Sequence, residues 1–148
     1  ELDVKELVLM AHELFLPLAE EKSIDFKVLL PAGSLKIQGD KLRLQRVVSN
    51  LLDNAIKYTP VNGQIEISAG NDDNSVWIVA KDSGCGIPKS EQMRVFERFY
   101  RCDSSRTQPG NGLGLSLVQA IAKAHGGTVA IESTCGKGSS FTLKIPKA

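Results

Sequence analysis

The chain has 148 residues, of which 42% are hydrophobic, 24% charged and 5% aromatic. That length fits a single domain over residues 1–148 and is too short for two good cores, and the few aromatics leave the core to Leu, Ile, Val and Ala. Lys and Arg number 18 against 17 Asp and Glu, a balance that excludes a strongly basic nucleic-acid binder and an acidic disordered tail, and no apolar run approaches the roughly 20 residues of a membrane span.

Residues 3–21 are expected to form a helix. Leu2, Leu7, Leu14 and Leu18, with Val8, Met10 and Ala11, make a broad apolar stripe, and Asp3 with Glu6 three residues on suits an N-cap. Ile24 to Leu30 alternates with strand periodicity, Pro31-Ala-Gly-Ser34 punctuates it, and a short strand is expected at 35–37. Asp40 is placed to cap a second helix whose Leu44, Val47, Val48, Leu51, Leu52 and Ala55 share a core face, with Thr59-Pro60-Val-Asn-Gly63 as its stop. Strands are expected at 64–69 and 75–80, joined by a hairpin loop over 70–74. Pro88 can open a short helix through about Val95.

Residues 101–112 hold nothing that fills a core and are expected to form a loop. A third helix follows over 113–124, stopped by Gly126-Gly127, and strands over 128–132 and 140–145 pair across Cys135-Gly-Lys-Gly138. The expected fold class is α+β, an α/β sandwich with one layer of about three helices on a mixed, mainly antiparallel sheet of about five strands. Cys85, Cys102 and Cys135 lack Cys-x-x-Cys spacing, which argues against a disulfide framework or zinc site and for a reducing compartment. With no initiator Met and no signal peptide, the chain is expected to be a cytoplasmic piece of a longer protein, whose parent could be anchored in the cell membrane.

Three segments carry chemistry. On the second helix Asn50, Asn54 and Lys57 fall at i, i+4 and i+7, on one stripe. Two amide oxygens suit Mg²⁺ and an ammonium suits phosphate, although the same residues also suit a solvated helix face. Asp82-Ser83-Gly84-Cys85-Gly86-Ile87-Pro88 closes an apolar strand. A carboxylate there can accept the exocyclic amine of adenine, and glycines let backbone approach a flat base; an ordinary Asx turn uses similar residues. Gly110-Asn111-Gly112-Leu113-Gly114-Leu115 opens a helix, where backbone N–H groups and the dipole favour phosphate. It is neither a P-loop nor a dinucleotide fingerprint, because the Lys and the spacing are missing.

Together and in this order, the three segments resemble the ATP-binding catalytic domain of sensor histidine kinases, within the gyrase, chaperone, kinase and MutL ATPase superfamily with its Bergerat-type fold. Asn50 to Thr59 is similar to the N box, Asp82 to Gly86 to the G1 box, Phe96-Glu-Arg-Phe99-Tyr100-Arg101 to the F box, and Gly110 to Leu115 to the G2 box. The tail from His125-Gly-Gly through Phe141 and Pro146 also follows the family. The resemblance implies that Asn54, with Asn50, holds Mg²⁺ on the triphosphate of ATP. It implies that Lys57 and Tyr58 meet phosphate and ribose, and that Asp82 reads adenine beside Gly84, Gly86 and Ile87. Gly110, Gly112, Leu113, Gly114 and Leu115 would lie along the phosphates, Arg101 would reach the γ-phosphate during transfer, and 101–111 would cover the nucleotide. Asn50, Lys57 and Arg101 are thus the catalytic candidates. Asn111 stands where small or hydroxyl residues are familiar, a change that Asn tolerates because it accepts unusual backbone angles.

The resemblance further implies transfer of the γ-phosphoryl to a His on a separate dimerisation domain of the same protein, onward transfer to a response regulator, and a homodimeric parent. No contact with nucleic acid or membrane is expected of these residues. His12-Glu-Leu-Phe-Leu-Pro17 imitates a phosphoacceptor motif, but Phe15 and Leu16 replace its Arg and Thr, and His12 lies where the opening helix of the catalytic domain is expected. It is read as a surface or flank residue. His125 is read as a cationic cap at a helix end, and Trp77 as packing. The alternatives are an ATPase clamp, an anti-sigma-type Ser/Thr kinase and a non-catalytic nucleotide-binding module. Clamps carry a Glu four residues before the metal-binding Asn to activate water; here that position is Asn50, an amide, which favours the kinase.

Overall fold

In the computed structural model, residues 1–92, 94–97 and 114–147 are described. The elements in chain order are β1 (Leu2–Asp3), α1 (Val4–Glu21), β2 (Asp25–Leu29), β3 (Lys36–Ile37), α2 (Lys41–Tyr58), β4 (Gln64–Asn71), β5 (Ser75–Asp82), α3 (Gly114–Ala124), β6 (Thr128–Thr134) and β7 (Gly138–Pro146).

Local signals account for most of these boundaries. Asp3 accepts the Lys5 N–H at 3.0 Å and also the Leu35 N–H at 3.2 Å, so its carboxylate caps α1 and ties in the chain before β3. Asp40 caps α2 by accepting the Arg43 N–H at 3.2 Å. Asp72 builds the β4–β5 hairpin by accepting from Asn74 and Ser75. At the end of α3, Gly126 has φ +72°, and Gly127 N–H returns to Ala122 O, a helix stop that glycine makes without strain.

Five strands form one sheet in the order β2-β4-β5-β7-β6, parallel between β2 and β4 and antiparallel elsewhere. The period of two sends Phe26, Ile65, Ile67, Ile78, Ala80, Phe141 and Leu143 to one face, where they are buried. Against them pack Val8, Ala11 and Phe15 of α1, Val47, Val48, Leu51 and Leu52 of α2, and Val118 and Ala122 of α3, in one core. This is the expected α+β sandwich. Trp77 lies on the other sheet face, in register with Gly70, where a side chain on Gly70 would meet its ring; it packs, as its alternation suggests.

Two features differ from the sequence expectations. Leu2–Asp3 also forms a short strand, paired antiparallel with β3 in a separate two-stranded sheet, while Asp3 remains the N-cap of α1. Among the described residues, 89–92 and 94–96 form turns in which Glu91, Arg94 and Glu97 each donate to a carbonyl three residues back. Gln92 Nε2 donates to Ile87 O at 3.0 Å and to Ser133 O at 2.9 Å, which ties the segment to the end of β6. His12 sits half-buried at the flank of α1. Its ring lies 4.5 Å from that of Phe26, and Nε2 contacts Phe26 O at 3.3 Å.

Candidate functional site

The stripe on α2 adjoins its core face. Leu51, Leu52, Ala55 and Ile56 are buried, while Asn50, Asp53, Asn54, Lys57 and Tyr58 are half-buried. Asn50 Nδ2 donates to Gly114 O at 3.4 Å, a long bond that brings α2 against the first turn of α3. The side chain of Asn54 has no hydrogen-bond partner among the described residues. Lys57 Nζ is 3.0 Å from Asp53 Oδ2, one helical turn back, with both partners partly exposed. Its ammonium is therefore already held on the stripe, where a surface pair of this kind is worth little and is readily exchanged for a stronger anion.

The end of β5 meets the C-terminal end of α2. Asp82 follows Val76, Ile78 and Ala80 in strand parity, so its side chain lies on the helix-facing side. Its Oδ1 accepts the Gly84 N–H at 2.8 Å. Burial pushes the Asp82 carboxyl above its ordinary value of 3.8, opposed by the N–H groups of Gly84 and Ser139. Two glycines are forced by close backbone. A Cβ on Gly84 would lie 2.4 Å from Tyr58 O, and one on Gly86, at φ +75°, 2.2 Å from Thr134 O. Cys85 N–H completes the junction with a 3.4 Å bond to Tyr58 O. Ile87 is half-buried against the core and donates its N–H to Ser133 Oγ at 2.7 Å.

Ser133 and Ser139 were not singled out from sequence, yet they brace this turn. Ser133 Oγ donates to Gly138 O at 2.9 Å, accepts from Ile87, and lies 2.8 Å from Ser139 Oγ. With the Ser133 proton committed to Gly138, Ser139 is the donor of that pair. Ser139 faces Asp82 across β5 and β7. The available signal was the strand alternation that puts both serines on the core-facing side, but it needs the β5-β7-β6 order to be useful.

His125 departs from its expected charge. Nε2 accepts the Asp40 N–H at 3.0 Å, so Nδ1 carries the proton toward Ile121 O at 2.8 Å. The ring is neutral and links the end of α3 to the cap of α2. Phe96 is half-buried with its ring edge-on to Phe141, 6.2 Å between centroids. Leu115 packs partly buried on the core. Phe99, Tyr100, Arg101, Gly110, Asn111, Gly112 and Leu113, with the covering loop expected over 101–111, lie outside the described residues.

The fold thus gathers, along the C-terminal half of α2, a half-buried carboxylate among glycines and a pair of amides beside the N-terminus of α3. The first suits a base bearing an exocyclic amine, the second a polyphosphate with a hard cation. Among the described residues no group of three or more His, Cys, Asp or Glu could hold a metal by itself, so a cation here would draw on amides and ligand oxygens. No helix among them is long and apolar enough to cross a membrane.

Comparison with known proteins agrees with this geometry. Residues 39–148 match the family described as histidine kinase-, DNA gyrase B-, and HSP90-like ATPase. The sensor histidine kinase RppB of Synechocystis sp. is 40% identical over 145 residues, covering 97% of this chain and 32% of RppB. The chain spans about a third or less of the length of the first relatives of this kind. Among solved structures, the catalytic domain of the histidine kinase ThkA superposes with a TM-score of 0.87 at 30% identity, over 98% of this chain and 95% of that one. ThkA in complex with the response regulator protein TrrA gives 0.83 at 28% identity, over 99% and 41%. Full-length ShkA in complex with AMPPNP gives 0.88 at 30% identity, over 99% and 30%.

Proposed function

The chain belongs to the histidine kinase-, DNA gyrase B-, and HSP90-like ATPase family, with the fold of a histidine kinase catalytic domain, and from that premise we propose that it binds ATP with Mg²⁺ and presents the γ-phosphoryl to a histidine on a separate dimerisation domain of its parent. Residues 1–148 act as one catalytic domain in this reading. The observation that carries it is the junction along the second half of α2: Gly84, beside Asp82, closes on Tyr58 O, and about two turns earlier Asn50 meets Gly114.

Asp82 accepts the adenine amine, and Gly84 and Gly86 keep side chains away from the ring. Ile87 supplies apolar contact. Asn50 and Asn54 fit Mg²⁺ by donor type: neutral amide oxygens are hard ligands that need phosphate oxygens to complete the shell. When bound, the ion offsets charge on the transferring phosphoryl group. Lys57 leaves Asp53 for phosphate, and Tyr58 meets the ribose. Gly114 and Leu115 at the start of α3, with Gly110, Gly112 and Leu113, lie along the triphosphate, and Arg101 reaches the γ-phosphate. Asn50 stands where a water-activating Glu would favour hydrolysis, and an amide cannot take that proton. The parent is a homodimer through its dimerisation domain and passes the phosphoryl group to a response regulator, the kind of protein found in complex with ThkA.

Phosphoryl transfer in trans tests this. With labelled ATP and Mg²⁺, the chain alone stays unlabelled, because His12 is engaged by Phe26 O. A dimerisation domain containing a phosphoacceptor helix, from the parent or from RppB, becomes labelled when the chain is added. Acid-labile phosphate on His12 contradicts the reading, as does the absence of label on either acceptor by a chain that binds ATP.

A further inference from the structure

The turn after β5 and the turn between β6 and β7 each carry an exposed cysteine, and the two turns lie in direct contact. The Gly136 N–H donates to Cys85 O at 2.8 Å, and a Cβ on Gly86 would lie 2.9 Å from Cα of Cys135. These contacts hold the Cα atoms of Cys85 and Cys135 within about 7.5 Å of each other, at the margin of the roughly 4.4–6.8 Å seen in disulfides. Both thiols are free and exposed. Space around Gly136 is open, since a Cβ there would meet nothing within 4 Å.

We propose that Cys85 and Cys135, juxtaposed on these two turns, are a dithiol that hydrogen peroxide closes to a disulfide, and that closure weakens nucleotide binding; the second half rests on the nucleotide reading above. In the first step one thiol attacks peroxide. The O–O bond breaks, sulfur is oxidised to a sulfenic acid, and one water leaves. In the second step the other thiol attacks that sulfur, the S–S bond forms, and a second water leaves. Two thiols and one peroxide give one disulfide and two waters.

The consequence for the site follows from how Cys85 is held. Its N–H has only a long 3.4 Å bond to Tyr58 O, whereas its carbonyl is bonded firmly to the other turn. The Thr134 backbone is already packed against Gly86, which limits further approach from that side. A disulfide therefore draws residue 85 away from Tyr58. Gly84 and Gly86, on either side, move with it, and Asp82 loses its fit to the base.

The test treats the intact chain with hydrogen peroxide in the absence of nucleotide, maps disulfides by peptide mass spectrometry, and measures ATP binding by calorimetry before and after. The expected result is a peptide joining Cys85 to Cys135, together with an ATP Kd raised by about five-fold or more, the lower end of ordinary coupling between sites. Dithiothreitol restores the reduced value. Cys135→Ser binds ATP like the reduced wild type, and its affinity does not respond to peroxide. A disulfide that maps to Cys102, or two thiols that stay free, overturns the pair. A Cys85–Cys135 bond with unchanged ATP affinity overturns its effect on binding. Absence of ATP binding in the reduced chain instead indicts the nucleotide reading and leaves the mapped bond standing.

Discussion

The backbone N–H of Asp40 donates to Nε2 of His125 at 3.0 Å, so the end of α3 is fastened to the start of α2 by one neutral imidazole. Gly39 makes room for it: a Cβ there would lie 2.8 Å from Cδ2 of the ring. His125→Leu loses both ring bonds and is expected to lower stability by about 1–2 kcal/mol, the ordinary worth of partly exposed hydrogen bonds. His125→Gln, whose amide oxygen can accept the Asp40 N–H, recovers part of the loss. Urea unfolding of the three proteins checks this, and equal midpoints for Leu and Gln would show that the Asp40 bond contributes nothing.

Gly138 is compelled twice, by φ +125° and by the Asp82 carbonyl 2.0 Å from where its Cβ would stand. Gly138→Ala is expected to cost about 2 kcal/mol or more and to weaken ATP binding through Asp82. Gly136→Ala has the same kind of left-handed strain, at φ +80°, with open space around it. It is expected to cost only about 1 kcal/mol. Thermal unfolding of the pair separates backbone strain from close approach.

Asp82→Asn keeps an oxygen for the Gly84 N–H and loses the carboxylate charge. ATP affinity is expected to drop by about 1–3 kcal/mol while thermal stability at neutral pH is maintained, since a desolvated charge is removed. The pH dependence has a defined sign. Burial raises the native carboxyl above 3.8, so between that value and the native one the folded chain binds more protons than the unfolded chain. The group's contribution to stability is therefore largest at acid pH and declines as pH rises through that window. Adenine favours the ionised form, so affinity for adenosine falls as pH drops through the native value. Asp82→Asn lacks this step, and calorimetry on both proteins with adenosine, which carries no phosphate of its own, isolates it. Identical pH profiles would remove Asp82 from base recognition.

Asn54→Ala is expected to abolish most of the enhancement of ATP binding by Mg²⁺ while leaving adenosine binding intact. Linkage requires Mg²⁺ to tighten ATP by the factor by which ATP tightens Mg²⁺. Titrations of ATP with and without Mg²⁺ read that factor directly. An unchanged factor in Asn54→Ala would return Asn54 to an ordinary position on a solvated helix face.

Helices α1, α2 and α3, their caps at Asp3, Asp40 and Gly126, and the β4–β5 hairpin were legible from sequence. Each is set by periodicity or by a side chain bonding backbone two or three residues away. Asn50, Asn54, Lys57, Asp82, Gly84 and Gly86 stand out in the sequence as candidates, since unusual types at fixed spacing interrupt a core pattern. Tertiary contacts decided the rest. Leu2–Asp3 pairs with Lys36–Ile37, and Gln92 donates to Ser133 O, contacts that local patterning does not announce. His125 became a neutral acceptor because Asp40 N–H, 85 residues away, reached its Nε2. The contact of Cys85 with the Cys135 turn depends on the β5-β7-β6 order. Local propensity reaches only a few residues along the chain. These contacts join segments tens of residues apart, and only burial of the shared sheet face brings such segments together.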